Sequence, residues 1–541
     1  MQPSPSLSPA PRQADIDAVV VGAGFAGLYM LHRLRLQGLR VRVFEAGSDL
    51  GGTWYWNGYP GARCDVESVD YSYSFSPEIE QAWTWSERFA SQAEILRYLD
   101  FVAARLDLRR DIQFDTRVAG AQYDENTRLW TVRAAGDTLT ARYLVLAVGC
   151  LSAANVPDFD GLDDFQGRWL HTGRWPREGV DLKGKRVGVI GTGSSGIQLI
   201  PAIAPDVASL YVFQRSPSFS VPARNAPLSA EFQHDIKRSY PARRARNRQS
   251  AAGYHYDPNF ESALDVTPEQ RELEYEARWR KGGAGFLVAY KDLLVNADAN
   301  ATAAQFVSAK IRALVRDPAT AEALVPRDFP IGARRLCLDS NYYATFNRDN
   351  VSLVDLQREP LERIVPTGVR TARADYALDV LILATGFDAM TGQLLALDIR
   401  GRGGLALREK WRDGARSYLG IGVAGFPNMF VVAGPGSPSV LSNMVLSIEQ
   451  HVEWVADCIQ HLDRGGYGAI EASGASENAW TAELAKLAER TLYPKVRSWY
   501  TGANVPGKPR VFTPYVGGAH RYREICGKVA LQDYRGFVLT R

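Results

Sequence analysis

Two glycine-rich segments have the residue types and spacing of loops that hold a pyrophosphate. They are Gly22-Ala23-Gly24-Phe25-Ala26-Gly27 and Gly191-Thr192-Gly193-Ser194-Ser195-Gly196. Glycines at these three places permit a tight turn, close approach of a pyrophosphate to the backbone, and close packing of a helix on a strand. The N-terminus of the following helix then faces the negative charge. The sequence therefore predicts two dinucleotide sites. Their loop contacts are Gly22, Gly24, Phe25 and Gly27 in the first and all six residues in the second.

The residue that ends the second strand of each unit distinguishes the two nucleotides. Glu45 stands about 20 residues after Gly24, where a carboxylate accepts hydrogen bonds from ribose hydroxyls. An unphosphorylated adenosine ribose, as in FAD or NAD, suits this carboxylate. Arg215 occupies the equivalent place in the second unit, where a guanidinium can pair with a 2′-phosphate. We therefore predict FAD in the first unit and NADPH in the second. The alternative for Arg215 is an ordinary surface arginine.

Each glycine loop lies between the elements of a βαβ unit. The first follows an apolar run at 17–21, precedes an amphipathic stretch at 28–37 and leads to a second strand at 40–44. The second follows a strand at 186–190 and leads through a helix to a strand at 210–213. The chain therefore contains two nucleotide-binding units with the same order of elements.

The rest of the chain predicts that both units are completed by distant segments. Residues 225–332 are polar and helical, and Thr267-Pro268-Glu269-Gln270 has the pattern of a capped helix start. Strand-like runs return at 351–355, 379–384 and 429–433, and these strands need sheets to join. We predict an α/β fold with two Rossmann-like dinucleotide-binding domains, both discontinuous in sequence, and a helical insertion. The predicted parts are 14–155 with 386–541 for the FAD-binding domain, 156–224 with 333–385 for the NADP-binding domain, 225–332 for the insertion, and 1–13 for a disordered tail.

The charge of the chain does not indicate a polyanionic partner. Of 541 residues, 63 are Lys or Arg and 60 are Asp or Glu, which gives a net charge of +3. One basic run, at 237–248, lies in the insertion. It contains few apolar residues, so we expect a solvated helix face rather than a binding patch. We therefore expect no nucleic-acid partner.

Other residue types exclude further classes of protein. No run of about 18 apolar residues predicts a membrane-spanning helix. The five cysteines include no C-x-x-C pair, which argues against a disulphide-reductase type of flavoenzyme and predicts reduced thiols in a cytoplasmic protein. The seven histidines are scattered without an H-E-x-x-H motif, so we expect no metal site.

The linker between the two units carries a third motif. Residues 165–176 read F-x-G-x-x-x-H-x-x-x-W-P. From the residues alone, the central His171 has a structural interpretation and is not assigned as an acid or base. The linker nevertheless resembles the fingerprint of type I Baeyer–Villiger monooxygenases. The resemblance extends over nearly the whole chain, through segments 51–57, 59–65, 334–335, 384–386 and 499–504.

The resemblance implies a reaction and a catalytic pair. NADPH would reduce FAD, dioxygen would be trapped as a flavin C4a-peroxide, and its attack on a ketone would lead to an ester or lactone. Arg335 matches the active-site arginine of the family, and its permanent charge could stabilise both the peroxyanion and the tetrahedral adduct. Asp65 matches the aspartate that orients this arginine. The alternative for both residues is an ordinary ion pair.

The resemblance also implies cofactor contacts on two sides. The positions on the flavin side are Trp54, Tyr71, Val118 and Met444. The positions on the NADPH side are Gln214, Arg215, Arg334 and Trp499. Further cofactor contacts are Gly52, Thr53, Asp65 and Arg335. Arg334 departs from the family pattern, because a lysine often precedes the active-site arginine. Segment 437–441 resembles a loop that lines the ketone pocket, where Val440 could alter the accepted substrate size.

Three other functions remain open at this stage. A related flavin monooxygenase could oxidise a heteroatom such as sulfur or nitrogen. A non-catalytic dinucleotide-binding sensor would keep the glycine loops but would not need Arg335. An NADPH oxidase would only release hydrogen peroxide. The main prediction is a cytoplasmic monomer that acts on a small ketone and dioxygen and binds no membrane.

Overall fold

The computed structural model describes residues 14–541, and the predicted tail 1–13 lies outside the described residues. The strands of the described part are β1 (Ile16–Val21), β2 (Val41–Phe44), β3 (Ile112–Gln113), β4 (Val118–Asp124), β5 (Leu129–Ala134), β6 (Asp137–Leu146), β7 (Arg168–His171), β8 (Arg186–Ile190), β9 (Ser209–Gln214), β10 (Ser220–Pro222), β11 (Cys337–Asp339), β12 (Val351–Asp355), β13 (Leu361–Val365), β14 (Gly368–Thr371), β15 (Asp375–Ala377), β16 (Val380–Leu383), β17 (Asp398–Arg400), β18 (Met429–Val431), β19 (Ala469–Ala472) and β20 (Phe537–Thr540).

The α-helices of the same residues are α1 (Phe25–Leu36), α2 (Thr53–Trp56), α3 (Pro77–Ala82), α4 (Gln92–Arg105), α5 (Ser194–Ile203), α6 (Ala230–Gln249), α7 (Pro268–Lys281), α8 (Ala297–Leu314), α9 (Pro318–Leu324), α10 (Tyr342–Thr345), α11 (Gly392–Ala396), α12 (Leu407–Lys410), α13 (Met444–Gly465), α14 (Gly474–Glu489) and α15 (Ala519–Leu531). No helix of residues 14–541 combines the length and apolar character needed to cross a membrane.

The first glycine loop belongs to an eight-stranded sheet. Its strand order is β17-β4-β5-β6-β1-β2-β3, and β18 also pairs with β6. The central β1 is parallel to both neighbours, with Val20 opposite Val43 on one side and Val145 on the other. Strands β4, β5 and β6 form an antiparallel meander that the sequence analysis left unassigned. Strands β17 and β18 reach this sheet from much later in the chain.

The second glycine loop belongs to a five-stranded sheet of order β12-β9-β8-β16-β7, in which every pairing is parallel. Val189 of β8 lies opposite Val212 and Ile382, and all three side chains are buried. Apolar residues on both faces allow helices to cover both sides of a parallel sheet. The late strands β12 and β16 complete this sheet. The predicted α/β fold with two discontinuous Rossmann-like units is therefore confirmed, while the residue boundaries of the domains stay a prediction.

Helices α6 to α9 occupy the predicted insertion. Thr267 and Gln270 form the predicted capping box at the start of α7, with each side chain accepting a bond from the other residue's backbone N–H. The expectation of a solvated basic face on α6 holds for Arg238, Arg246 and Arg248, which are exposed, but it is wrong for Arg243 and Arg244. Arg243 and Arg244 are 7% and 6% exposed. They are buried because carboxylates from segment 67–80, distant in sequence, lie opposite them.

Candidate active site

The first glycine loop joins β1 to α1 in a conformation that requires glycine. Gly22 has φ of 104°, a region that other residues rarely adopt. A Cβ atom at Gly27 would overlap the carbonyl oxygen of Gly22, so helix and loop could not approach as they do. Gly24 then caps α1 without a side-chain hydrogen bond, which leaves backbone N–H groups for an anion.

Glu45 lies just beyond β2, and its carboxylate reaches back to this loop. Its Oε2 accepts a hydrogen bond from Ala23 N at 2.7 Å, and its Oε1 accepts one from Gly47 N at 2.8 Å. The side chain is buried, and burial raises the pKa of Glu45 although the N–H bonds oppose the shift. The carboxylate is therefore fixed beside the loop, as the predicted FAD ribose contact requires.

A cavity of about 370 Å³ extends from this loop to the second unit. Tyr71 and Trp54 form part of its wall, with Trp54 Nε1 donating to the Tyr71 hydroxyl at 3.2 Å. Most residues that we predicted as flavin contacts meet here. The predicted site residues that line the cavity are Gly22, Gly24, Phe25, Glu45, Gly52, Thr53, Trp54, Asp65, Tyr71, Val118, Ser194, Arg335, Met444 and Trp499.

The second glycine loop repeats this geometry between β8 and α5. Gly191 has φ of 113°, and a Cβ atom at Gly196 would overlap the carbonyl oxygen of Gly191. Thr192 is buried, and its hydroxyl donates to the Ser216 carbonyl at 3.1 Å. Gln214 is also buried, with Nε2 donating to the Ala323 carbonyl at 2.8 Å. The predicted residues that do not line the cavity are Gly27, Gly191, Thr192, Gly193, Ser195, Gly196, Gln214, Arg215 and Arg334.

Two cations lie together beside the second loop. Arg215 is exposed, and Arg334 is half-buried with its guanidinium 4.1 Å from the Phe329 ring. Burial, and then the positive charge of Arg215, hold the pKa of Arg334 below its ordinary value. Among residues 14–541, neither arginine forms an ion pair with a carboxylate within 4.0 Å. Two adjacent guanidinium groups without such a partner could hold a phosphate group.

Arg335 and Asp65, which are 270 residues apart in sequence, form a two-point ion pair on the cavity wall. Arg335 Nε donates to Asp65 Oδ2 at 2.9 Å, and Nη2 donates to Oδ1 at 2.7 Å. Nη1 donates to the Val440 carbonyl at 2.6 Å. Burial opposes the charge of Arg335, but Asp65 together with Tyr500 and Tyr254 outweighs that effect, so the pKa of Arg335 lies well above its ordinary value.

Two residues at the site were given no role from the sequence: Gln198, which belongs to no motif, and Tyr500, which lies in the matched segment 499–504. Gln198 of α5 joins the two units, because its Oε1 accepts a bond from the Tyr59 hydroxyl at 2.8 Å and its Nε2 donates to the Arg63 carbonyl at 3.1 Å. Tyr500 is buried beside Trp499, with ring centroids 4.2 Å apart. A polar or aromatic residue outside a recognisable motif is identified only when the fold places it beside the site.

Comparisons with known proteins cover almost the whole chain. A Baeyer–Villiger monooxygenase of Pseudooceanicola batsensis is 44% identical over 98% of this chain and 97% of the relative. The chain belongs to the Baeyer–Villiger monooxygenase family. A second relative, phenazine N-monooxygenase PhzNO1 of Lysobacter antibioticus, is 43% identical over 97% of each chain.

Solved structures agree with this family assignment. A steroid monooxygenase bound to NADP is 55% identical, with a TM-score of 0.93 over 97% of this chain and 99% of the other. OTEMO in complex with FAD and NADP is 41% identical, with a TM-score of 0.95 over 98% and 100%. The predicted enzyme class, a Baeyer–Villiger monooxygenase with FAD and NADPH as cofactors, is confirmed.

A broader family model, pyridine nucleotide-disulphide oxidoreductase, matches residues 19–240. All five cysteines are free thiols, so this match reflects the shared nucleotide-binding fold and gives no sign of a redox disulphide. The described residues contain no group of three or more His, Cys, Asp or Glu side chains that could hold a metal ion.

His171 of the Baeyer–Villiger fingerprint ends β7 and lies away from the cavity lining. It is buried, and its Nδ1 accepts a bond from Gly173 N at 2.9 Å. Burial, reinforced by Arg174, lowers the pKa of His171 to about 4. The imidazole is therefore neutral near pH 7, in keeping with the structural interpretation.

Proposed function

We propose that this Baeyer–Villiger monooxygenase converts a ketone into an ester or lactone at the Arg335–Asp65 pair. The observation that carries this proposal is the two-point ion pair on the wall of the cavity that also contains the first glycine loop. FAD bound at that loop and reduced by NADPH supplies the electrons for oxygen activation. One oxygen atom of dioxygen enters a carbon–carbon bond of the ketone, and the other leaves as water.

Arg335 has the properties that this reaction needs. Its guanidinium stays protonated at working pH, so it can stabilise negative charge on a ketone oxygen during oxygen transfer. Asp65 and the Val440 carbonyl take three of its five N–H groups, which leaves donors for an oxygen atom in the cavity. Asp65 fixes the orientation of the guanidinium group. Less free energy would then be needed to orient this group when negative charge develops during the reaction.

The NADPH-side residues have a separate role in the proposal. Arg215 and Arg334 would bind the 2′-phosphate, and Trp499 would contact the nicotinamide side of the nucleotide. Support comes from the two neighbouring guanidinium groups beside the second glycine loop and from Trp499 in the cavity lining. Val440, whose carbonyl contacts Arg335, would help to set the size of the accepted ketone.

The test is to replace Arg335 by Ala and by Lys and to measure the two half-reactions separately. Losing a preorganised charge at a developing anion costs on the order of 100-fold or more in rate, so Arg335→Ala should stop ester formation. Flavin reduction by NADPH should persist in a stopped-flow measurement. Arg335→Lys keeps the charge but loses the two-point contact, and Asp65→Asn keeps a polar partner of the same shape, so both should retain partial activity. Ester formation near the normal rate by Arg335→Ala would contradict the proposed role.

Oxidation of a heteroatom is the second candidate function, favoured by the phenazine N-monooxygenase among the relatives. The purified enzyme should be incubated with NADPH, air and separate panels of ketones, sulfides and aromatic amines. Mass analysis of products then separates the functions. Esters support the first proposal, oxides without esters support the second, and hydrogen peroxide alone indicates an NADPH oxidase.

We also propose that the chain acts as a cytoplasmic monomer. The five free thiols support a reducing compartment. Light scattering of the purified protein should give the monomer mass of 59.7 kDa, and twice that mass would contradict the proposal.

A further inference from the structure

A buried carboxylate lies between the catalytic aspartate and the flavin-side tyrosine in sequence. Asp70 directly precedes Tyr71, and its side chain is 1% exposed. Arg243 of α6 binds it at two points, with Nε donating to Oδ1 at 2.6 Å and Nη2 donating to Oδ2 at 2.7 Å. Asn247 Nδ2 donates to Oδ1 at 2.8 Å. The helical insertion thus reaches the segment that carries Asp65 and Tyr71.

The backbone at Asp70 is also fixed. Its carbonyl oxygen accepts a bond from Asn443 Nδ2 at 2.7 Å and one from Arg244 Nη1 at 3.3 Å. Asn443 caps helix α13, because its Oδ1 accepts a bond from Val445 N at 3.1 Å. The first residue of that helix, Met444, lines the cavity. We call Asp70, Arg243, Arg244, Asn247 and Asn443 the Asp70 cluster.

The Asp70 cluster also contacts the loop that carries Tyr254 and His255. His255 N donates to Asp70 Oδ2 at 3.3 Å. The neighbouring Tyr254 and the catalytic-pair residue Asp65 both line a small cavity of about 70 Å³. Asp70 therefore contacts α6 and the His255 loop through its carboxylate, and the start of α13 through its backbone carbonyl.

The charge of Asp70 is balanced mainly by Arg243. Burial alone would raise the pKa of Asp70, but the bonds and charge of Arg243, helped by Arg244 and Asn247, outweigh it, so the pKa lies below its usual value. Removing Arg243 would leave the buried charge of Asp70 without its two-point partner. Arg243 itself has a second carboxylate partner, because its Nη2 also donates to Glu67 Oε2 at 3.1 Å. A lysine in place of Arg243 keeps the charge but cannot make the two-point contact.

We propose that Asp70 and Arg243 are positioning residues for the oxygenating step. They act through the backbone at Tyr71 and through His255 N. These contacts fix the position of the cavity wall at Tyr71 relative to the loop beside Asp65. This inference rests on the proposed function, because it assumes that oxygen transfer takes place at Arg335 and Asp65. NADPH would approach from the second unit, whose phosphate-side residues the cluster does not touch.

The test uses two conservative variants and a matched control on the same helix. Asp70→Asn removes the charge and keeps the shape, Arg243→Lys keeps the charge, and Arg246→Ala changes an exposed residue of α6. Each protein is compared for FAD content, fluorescence of the bound flavin, anaerobic flavin reduction by NADPH, and ester formed per NADPH consumed. Ester formation by the unchanged enzyme is measured first, because its absence would contradict the proposed function rather than the role of the cluster.

Both conservative variants should bind FAD and be reduced within about twofold of the normal rate. Ester formation should fall by about 10- to 100-fold, since a displacement of about 1 Å can cost that much, and the missing electrons should appear as hydrogen peroxide. Bound flavin should fluoresce more strongly, because Tyr71 and Trp54 would quench it less well. Arg246→Ala should match the unchanged enzyme in every measurement.

Two results would overturn the proposal. One is a normal ratio of ester to NADPH in both conservative variants. The other is a loss of FAD with an equal loss of flavin reduction and ester formation. That result would mean that the cluster stabilises the fold and has no separate role in the oxygenating step. If Asp70→Asn does not fold, the ratio of ester formed to NADPH consumed is measured for Arg243→Lys and Asn247→Ala instead. Asn247→Ala is the milder change, since it removes only one bond to the carboxylate.

Discussion

The two nucleotide-binding units have almost the same backbone and different charges at one position. Gly24 and Gly193 cap their helices with φ and ψ of −85° and −166° in the first unit and −84° and −167° in the second. Beyond the second strand, however, the first unit has a buried Glu45 and the second an exposed Arg215. The two units therefore offer the same backbone to a pyrophosphate, and we propose that the side chain at this one position selects the nucleotide.

The largest effect is expected when the glycine-loop conformation that the two units share is disrupted in one unit at a time. A methyl group at Gly27 or Gly196 would overlap a carbonyl oxygen of its own loop, and such overpacking typically costs about 1–3 kcal/mol or more. Gly27→Ala should yield protein without FAD, whereas Gly196→Ala should yield a yellow protein that NADPH reduces poorly. FAD content and stopped-flow reduction measure the two effects.

Gly193→Ala provides the steric control for that experiment. A Cβ atom at Gly193 would have no neighbouring protein atom within 4 Å, so this variant should fold and retain its FAD. Loss of FAD from Gly196→Ala to the same extent as from Gly27→Ala would contradict the separation of the two sites.

An intermediate effect is expected from the cation of the second unit. Arg215→Ala should reduce the preference for NADPH over NADH by on the order of 100-fold, since charge-assisted contacts to phosphate are strong. The loss should appear mainly as weaker NADPH binding, measured from the concentration dependence of flavin reduction. Equal use of NADPH and NADH by the unchanged enzyme would contradict the assignment of this site.

The smallest effect is expected from the carboxylate of the first unit. Glu45→Gln keeps the shape but replaces one of the two acceptor oxygens that bind Ala23 N and Gly47 N. Retention of FAD during dialysis should weaken by about tenfold, as expected for a lost bond to a charged group. The preference for NADPH should not change. A changed preference would mean that the two nucleotide sites had been assigned the wrong way round.

The sequence predicted the parts of this site that depend on local pattern. A glycine loop between a strand and a helix can be recognised from the sequence, because the positions that must lack a side chain lie close together in the chain. The contact between Arg335 and Asp65 came instead from a family resemblance, since no local pattern joins residues 270 positions apart. The late strands could be predicted to return to earlier sheets, because a buried strand needs neighbours on both sides.

What could not be predicted depends on partners brought together by the fold. The basic run of α6 suggested a solvated face, because the carboxylates of segment 67–80 that neutralise it are distant in sequence. Gln198 is an ordinary helix residue until the two units meet and its amide bonds to Tyr59 and Arg63. Such long-range polar contacts leave no periodicity or motif in the sequence.

The nested arrangement of the two sheets has a consequence for synthesis on the ribosome. Strand β16, which completes the five-stranded sheet, ends at Leu383, whereas β18 of the eight-stranded sheet ends at Val431. The unit that begins first is therefore completed last. At ~5–20 residues per second, the interval between residues 383 and 431 takes roughly 2–10 s. During that time Leu144, Val145 and Leu146 of β6 lack the strand that later pairs with them, so a nascent chain paused in this interval exposes an apolar strand edge.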